Sequence, residues 1–155
     1  MNIPLISLIL QGIPELAGVV TLAFVIKGIP LKWTRIIPIA IVLAVVSYIV
    51  RLLPIPFGLH TIFIILLLFV FFIWIGKGDV SLSLLASLLS LLALMAFETI
   101  CLSVLMPLFG IKSETMLTDP VVRILIAEPQ VILMFASAYL LHKLLRKRSE
   151  SSEPR

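Results

Sequence analysis

Two glutamates lie inside long apolar runs of this chain, and they are its clearest candidates for chemistry. Glu15 follows Gln11 by four residues, so both side chains fall on one face of a helix. Glu98 stands in a second apolar run together with Cys101. A charged side chain at the middle of a bilayer costs about 3 kcal/mol on insertion scales. We therefore expect the glutamates to be neutral, to be paired, or to face a wet cavity.

Four further polar side chains belong near the ends of the apolar runs. Arg51 and His60 flank a corner that contains Pro54 and Pro56. Two prolines one residue apart cannot continue a helix, and each biases the preceding residue toward extended geometry. Two more polar residues precede or begin the last apolar run. The predicted ligand-binding or polar-core set is therefore Gln11, Glu15, Arg51, His60, Glu98, Arg123 and Gln130.

Two interpretations of this set are open. In the first, the set is structural: Glu15 and Glu98 share a proton or bond to polar neighbours such as Gln11, Thr99 and Arg51, and so tie the helices together. In the second, the set lines a pocket for a ligand or an ion that opens on the outer side. Intramembrane ionisable residues are functional candidates by default. The sequence is compatible with both interpretations.

Catalysis and metal binding have less support. Cys101 and His60 could form a thiol–imidazole pair, but a lone cysteine on a helix face of small residues is typical of packing. A single cysteine also excludes an intrachain disulfide and a multi-cysteine metal site. We predict that the chain is not an enzyme, and that it has no catalytic residues, no metal site and no cofactor.

The composition predicts an all-α, polytopic membrane helix bundle. The chain is 61% hydrophobic and 13% charged, with a mean hydropathy of +1.25, whereas soluble domains are about half apolar and a quarter charged. Five transmembrane helices are predicted, at about 4–26, 36–53, 57–75 and 82–108 and in a last span that ends near residue 145. A short interfacial helix over 117–127 and a break at 128–130 are predicted before that last span. Residues 1–145 form the transmembrane domain, and 146–155 form a short basic and polar tail.

The serines of the fourth span predict how it packs. Ser83, Ser87 and Ser90 fall within about one quadrant of the helix, together with Glu98 and Cys101. Small side chains let helix backbones approach closely, and membrane helices pack through such faces. The third span has no polar face, so we expect it to contact mainly lipid.

The distribution of Lys and Arg predicts the orientation. With five spans, nine of the 12 cations fall on one side and three on the other, which are Arg51, Lys112 and Arg123. The positive-inside rule then puts the N-terminus outside and the C-terminus in the cytoplasm of a multi-pass protein of the cell membrane. Cations after the last span are expected to attract anionic lipid. The lipid bilayer is the expected partner, and a nucleic-acid role has no support beyond the net charge of +4.

The corner and several motifs around it resemble a known family. They are similar to the membrane sensor region of Gram-positive sensor histidine kinases with GHKL-type ATPase domains, which are related to quorum-sensing peptide receptors. The resemblance covers nearly the whole chain, to about residue 145, and departs from the family in lacking a kinase domain. The matching positions are Glu15, Tyr48, Arg51, Pro54, Pro56, Gly58, His60, Glu98, Asp119, Pro120, Arg123, Pro129 and Gln130.

The resemblance implies a sensory or regulatory membrane module. Such a module would act through helix contacts with a partner membrane protein or as a homo-oligomer. The competing hypothesis is a small transporter, or a substrate-binding membrane subunit, that uses Glu15 and Glu98 as proton or substrate ligands. Transport ranks second because the sequence has no inverted repeat, and only the first span carries a Gly/Pro interruption of the kind found at transporter sites.

Overall fold

The computed structural model describes residues 5–56, 58–76 and 79–152, and within these ranges every regular element is helical. The predicted all-α bundle is confirmed. Four of its helices are long and apolar enough to cross a membrane, and a fifth apolar helix of 17 residues is slightly shorter. That helix rises about 25 Å, close to the hydrocarbon core of about 30 Å. The helices are α1 (Leu5–Lys27), α2 (Trp33–Leu52), α3 (Leu59–Ile75), α4 (Val80–Phe109), the short α5 (Ser113–Thr118) and α6 (Pro120–Ser151).

Helix α1 is the centre of the bundle. Ten consecutive residues, from Leu16 to Val25, are buried, as expected for a helix that is apolar all round and enclosed by others. It packs against α2, α4 and α6, and the ring of Phe24 meets that of Phe72 on α3 edge-on at 5.5 Å. At Gly18 the neighbouring helix is so close that an added Cβ would lie 3.0 Å from Cβ of Met134.

An irregular turn interrupts α1 beside Glu15. Pro14 has no backbone N–H and predicts an interruption of the helix at this place. In the structure, Leu8–Gly12 forms a π-helical turn directly before the regular helix resumes at Ile13. Such turns accommodate a locally altered hydrogen-bond pattern within one helix, and they are frequent at functional sites.

The proline corner forms where the sequence predicts it. Helix α2 ends at Leu52, and Leu53 is extended, with φ −79° and ψ 144°. Gly58 has a φ of 111° at the start of α3, a backbone conformation that favours glycine. Phe57 lies outside the described residues. The corner places Arg51 and His60 at the same end of the bundle.

The serine face of α4 is buried as predicted. Ser83, Ser87 and Ser90 are each 0% exposed, and α4 packs against both α1 and α6. Their hydroxyls donate to carbonyl oxygens four residues earlier in the chain, at 2.7 to 2.8 Å. The polar groups are thereby satisfied inside the helix. Helix α3 buries Ile64, Leu68 and Phe72, and of its other fourteen side chains six are exposed and eight are half-buried.

The prediction for the start of the last span is wrong. Residues 120–127 are the first turns of the continuous helix α6, and the short helix before it is Ser113–Thr118. Pro120 suits the first turn of a helix, and Asp119 caps it by accepting a 3.0 Å hydrogen bond from the backbone N–H of Val121. Pro129 does not break α6, because membrane helices tolerate an internal proline when their surroundings satisfy the freed backbone groups.

The predicted basic tail is partly helical. Helix α6 continues to Ser151, so residues 146–151 form its last turns, and Arg146 forms an ion pair with Glu150 at 3.4 Å. Lys77 and Arg155, which contribute to the predicted charge asymmetry, lie outside the described residues.

Candidate functional site

A cavity of about 440 Å³ lies at the end of the bundle where the corner is. Each of the five long helices contributes to its lining. Six of the seven side chains of the predicted polar set line it: Gln11 and Glu15 on α1, Arg51 at the end of α2, His60 at the start of α3, Glu98 on α4, and Arg123 on α6. We call this the polar cavity.

The seventh residue of the set lies elsewhere. Gln130 is only 4% exposed and is not among the residues that line the polar cavity. Because α6 is continuous across Pro129, Gln130 falls about two turns deeper along the helix than Arg123. Cys101 is buried at 6% exposure and does not line the cavity either. A thiol–imidazole pair of Cys101 and His60 therefore has no shared cavity in which to act.

The two glutamates lie at nearly the same depth along the bundle. This follows from counting residues from a set of contacts at the opposite end. Lys27 on α1 donates hydrogen bonds to Phe72 on α3 and to Ser83 on α4, so these residues share a level. Glu15 precedes Lys27 by twelve residues, and Glu98 follows Ser83 by fifteen. At about 1.5 Å per residue, the glutamates are roughly 18 and 22 Å above that level.

The arginines lie above the glutamates by the same reasoning. Gly18 of α1 is level with Met134 of α6, which it contacts. Arg123 precedes Met134 by eleven residues, whereas Glu15 precedes Gly18 by only three. Arg123 is therefore roughly 12 Å nearer the end of the bundle than Glu15. Arg51 is in the last turn of α2, beside the corner. Along the bundle axis, the half-buried Glu15 and the exposed Glu98 thus lie farther from this end of the bundle than the two arginines.

The charged groups of the polar cavity are near one another without forming contact ion pairs. Glu15, Glu98, Arg51 and Arg123 line the same cavity. Within the described part of the chain, none of these four side chains forms an ion pair with another at 4.0 Å or less. Carboxyl and guanidinium groups are therefore both available to an occupant of the cavity.

Apolar side chains form much of the remaining wall. Leu16 and Ile64 are buried at 6% and 7% exposure, and Leu91 and Leu94 of α4 complete that side. Ligand sites commonly combine an apolar wall with a few placed polar groups, in volumes of about 300–1,000 Å³. The polar cavity fits this description and could hold a small amphiphilic molecule or the end of a larger one.

Lys27 is the residue with a structural role that the sequence did not reveal. Lys27 follows directly after the predicted first span at 4–26, and its Nζ donates to the carbonyl oxygen of Phe72 at 2.6 Å and to the hydroxyl of Ser83. Its charge also lies 5.8 Å from the centre of the Phe72 ring. Gly76 leaves room for it, since an added Cβ there would collide with the lysine ammonium. A lysine at the end of an apolar run carries no signal in sequence that separates this role from a solvated one.

No protein-family model, no curated protein and no solved structure matches this chain. The polar cavity and the physical chemistry of its residues are therefore the basis for inferring a function.

Proposed function

We propose that this chain is a sensory or regulatory module of the cell membrane, and that its polar cavity binds the cue. The observation that carries the proposal is that all five long helices contribute to one cavity, in which neither glutamate forms a contact ion pair with Arg51 or Arg123. An occupant would touch every long helix at once. Binding energy could then shift the equilibrium between two arrangements of the bundle, provided that the ligand binds one arrangement better.

The signal would leave the module through helix contacts. Helix α1 carries Gln11 and Glu15 in the cavity and is buried against α2, α4 and α6 farther along. A shift of α1 would therefore change its contacts with these three helices. We propose that a partner membrane protein or a second copy of the chain receives it, with the N-terminus outside and the C-terminus in the cytoplasm as the positive-inside rule indicates.

Ligand binding can be tested by thermal unfolding of the full chain in lipid nanodiscs, with a panel of organic ions and short peptides as probes. A binder at a hundred times its Kd should stabilise the protein by about 2.7 kcal/mol. Glu15→Gln or Glu98→Gln should weaken that binder roughly 10- to 100-fold, the value of about 1.5–3 kcal/mol for a hydrogen bond to a charged group. Glu114→Gln, on the exposed helix α5, is the matched control.

Two outcomes would contradict the proposal. Equal weakening by Glu114→Gln would show that the binder acts by net charge and not in the polar cavity. Loss of folded protein in both cavity variants, with no probe stabilising the unchanged chain, would favour the structural interpretation. In that case the glutamates serve only to tie the helices together.

The openness and orientation of the cavity have a separate test. In a Cys101→Ser background, Ser47→Cys places a thiol in the cavity lining, and Ser90→Cys places one in the packed serine face. Both serines are buried, at 7% and 0% exposure. A membrane-impermeant thiol reagent added outside intact cells should label Ser47→Cys at least tenfold faster. Equal rates for the two variants would mean that the cavity is closed to water from that side.

A small transporter, or a substrate-binding membrane subunit, is the second candidate, and one observation favours it. The π-helical turn Leu8–Gly12 contains Gln11 and ends three residues before Glu15, and interrupted helices are common at transporter sites. Transport predicts uptake of a cavity ligand into proteoliposomes that is lost in Glu15→Gln. A ligand that binds to the protein without crossing the bilayer would remove this candidate.

A further inference from the structure

A second cavity, of about 510 Å³, lies on the outside of the bundle between α2 and α3. It is at the opposite end from the polar cavity, where α2 begins and α3 ends. Pro38, Ile39 and Val42 form one wall, and Phe71 and Ile75 form the other. We call this the α2–α3 groove.

The groove has a polar rim at the helix ends and an apolar floor toward the middle of the bundle. Thr34 and Arg35 are in the first turn of α2, and Trp74 is in the last turn of α3. The apolar wall continues to Val42, eight residues beyond Thr34, which is roughly 12 Å along the helix. One leaflet of the hydrocarbon core is about 15 Å thick. The groove therefore has nearly the depth of a single leaflet.

The rim carries the positive charge of Arg35. Arg35 is exposed and forms no ion pair with any residue that the structure describes. Trp74 is 83% exposed, and tryptophan is enriched at the level of the lipid headgroups. Lys32 is nearby and exposed, and Lys27 is already engaged by Phe72 and Ser83. A cationic rim above an apolar slot complements a molecule with an anionic head and an acyl chain.

We propose that the α2–α3 groove is a binding site for an anionic phospholipid. The acyl chain lies between Pro38 and Ile39 on one side and Phe71 on the other. The phosphate is bound by Arg35, with Trp74 at the headgroup level. This site does not depend on the polar cavity or on its proposed ligand. It gives the protein a preference among lipids that the remaining apolar surface, which any acyl chain can cover, does not provide.

Trp74 itself can report the occupant. The chain has two tryptophans, so a Trp33→Phe background leaves Trp74 as the only one. The full chain in this background is placed in liposomes that contain increasing fractions of brominated phosphatidylglycerol or brominated phosphatidylcholine. Bromine quenches tryptophan on contact. Half-maximal quenching should need about fivefold less of the anionic lipid, since one interfacial cation contributes about 1 kcal/mol.

Three variants in that background identify the cation that is responsible for the lipid preference. Arg35→Gln should abolish the preference for the anionic lipid, and Arg35→Lys should keep most of it. Lys32→Gln, which removes a neighbouring exposed cation outside the groove lining, should leave it nearly unchanged. Protein yield and helicity of each variant are measured alongside the quenching to verify that it is folded.

Three results would overturn the proposal. Equal quenching by both lipids would mean that Trp74 contacts only bulk lipid. An equal effect of Arg35→Gln and Lys32→Gln would assign the preference to the general positive charge of this end. Displacement of the lipid by millimolar glycerol phosphate would show that the acyl chain contributes nothing to binding.

Discussion

Replacing Lys27 by methionine should destabilise the bundle, although the residue is next to a loop. Lys27→Met keeps the length and most of the apolar stem of the side chain and removes only the ammonium. The ammonium donates to Phe72 and Ser83, and it therefore joins α1 to both α3 and α4. It also neutralises carbonyl dipoles in the last turns of α3, where a positive charge is favourable.

The expected loss in free energy of unfolding depends on which hydrogen bonds Phe72 and Ser83 keep after the substitution. The carbonyl oxygen of Phe72 still accepts from the backbone N–H of Gly76 at 2.9 Å, and the hydroxyl of Ser83 still donates to the carbonyl oxygen of Asp79 at 2.7 Å. Neither group is left without a partner, so no penalty for an unsatisfied polar group is added. The net loss is about 2 kcal/mol for hydrogen bonds from a charged donor. The lost cation–ring contact raises it to about 2–3 kcal/mol.

The free energy of unfolding can be measured by titration with dodecyl sulfate in mixed micelles, followed by circular dichroism. Lys32→Met is the control, since Lys32 is exposed and should change the free energy by less than about 0.5 kcal/mol. A double-mutant cycle with Ser83→Ala should give a coupling of about 1 kcal/mol. If Lys27→Met and Lys32→Met have the same free energy of unfolding, the contacts of Lys27 do not stabilise the bundle.

Three further predictions concern packing and helix ends, each measured in the same unfolding assay. Ser87→Leu should cost about 3 kcal/mol because Ser87 is 0% exposed and a larger side chain must displace its packed neighbours, whereas Ser81→Leu on the exposed face should cost little. Asp119→Ala should cost about 1 kcal/mol and speed hydrogen exchange in the first turn of α6, because the cap at Val121 is lost. Gly28→Ala should cost about 1–2 kcal/mol through its φ of 75° alone, since nothing lies within 4 Å of the added Cβ; no loss would mean that the turn adapts.

Much of the candidate site was predictable because it depends on distance from helix ends. Glu15 and Glu98 are in the interior of apolar runs, and Arg51, His60 and Arg123 are at the boundaries. Counting residues along antiparallel helices is enough to put the acids at one depth and the bases above them. The serine face of α4 was predictable for a related reason, since its period of three to four residues is a property of the sequence.

Gln130 is the one residue of the predicted set that does not line the polar cavity. Its predicted place depended on a break at Pro129, and proline does disfavour a helix interior in isolation. In the bundle, packing of α6 against α1 and α4 keeps the helix continuous. Gln130 then turns into the packed interior instead of the cavity. The continuity of α6 at Pro129 depends on contacts between helices, and these cannot be derived from a short stretch of sequence.

The sequence alone determined that this chain forms apolar helices joined at a proline corner, because hydropathy and backbone restriction act locally. Only the tertiary structure decided that α1 is the central helix, that Lys27 joins three helices, and that six polar side chains meet in one cavity. These facts depend on how each helix is rotated about its axis and on which neighbour it meets. Rotation and neighbours are set by packing between residues far apart in the chain, and so they exist only in the folded molecule.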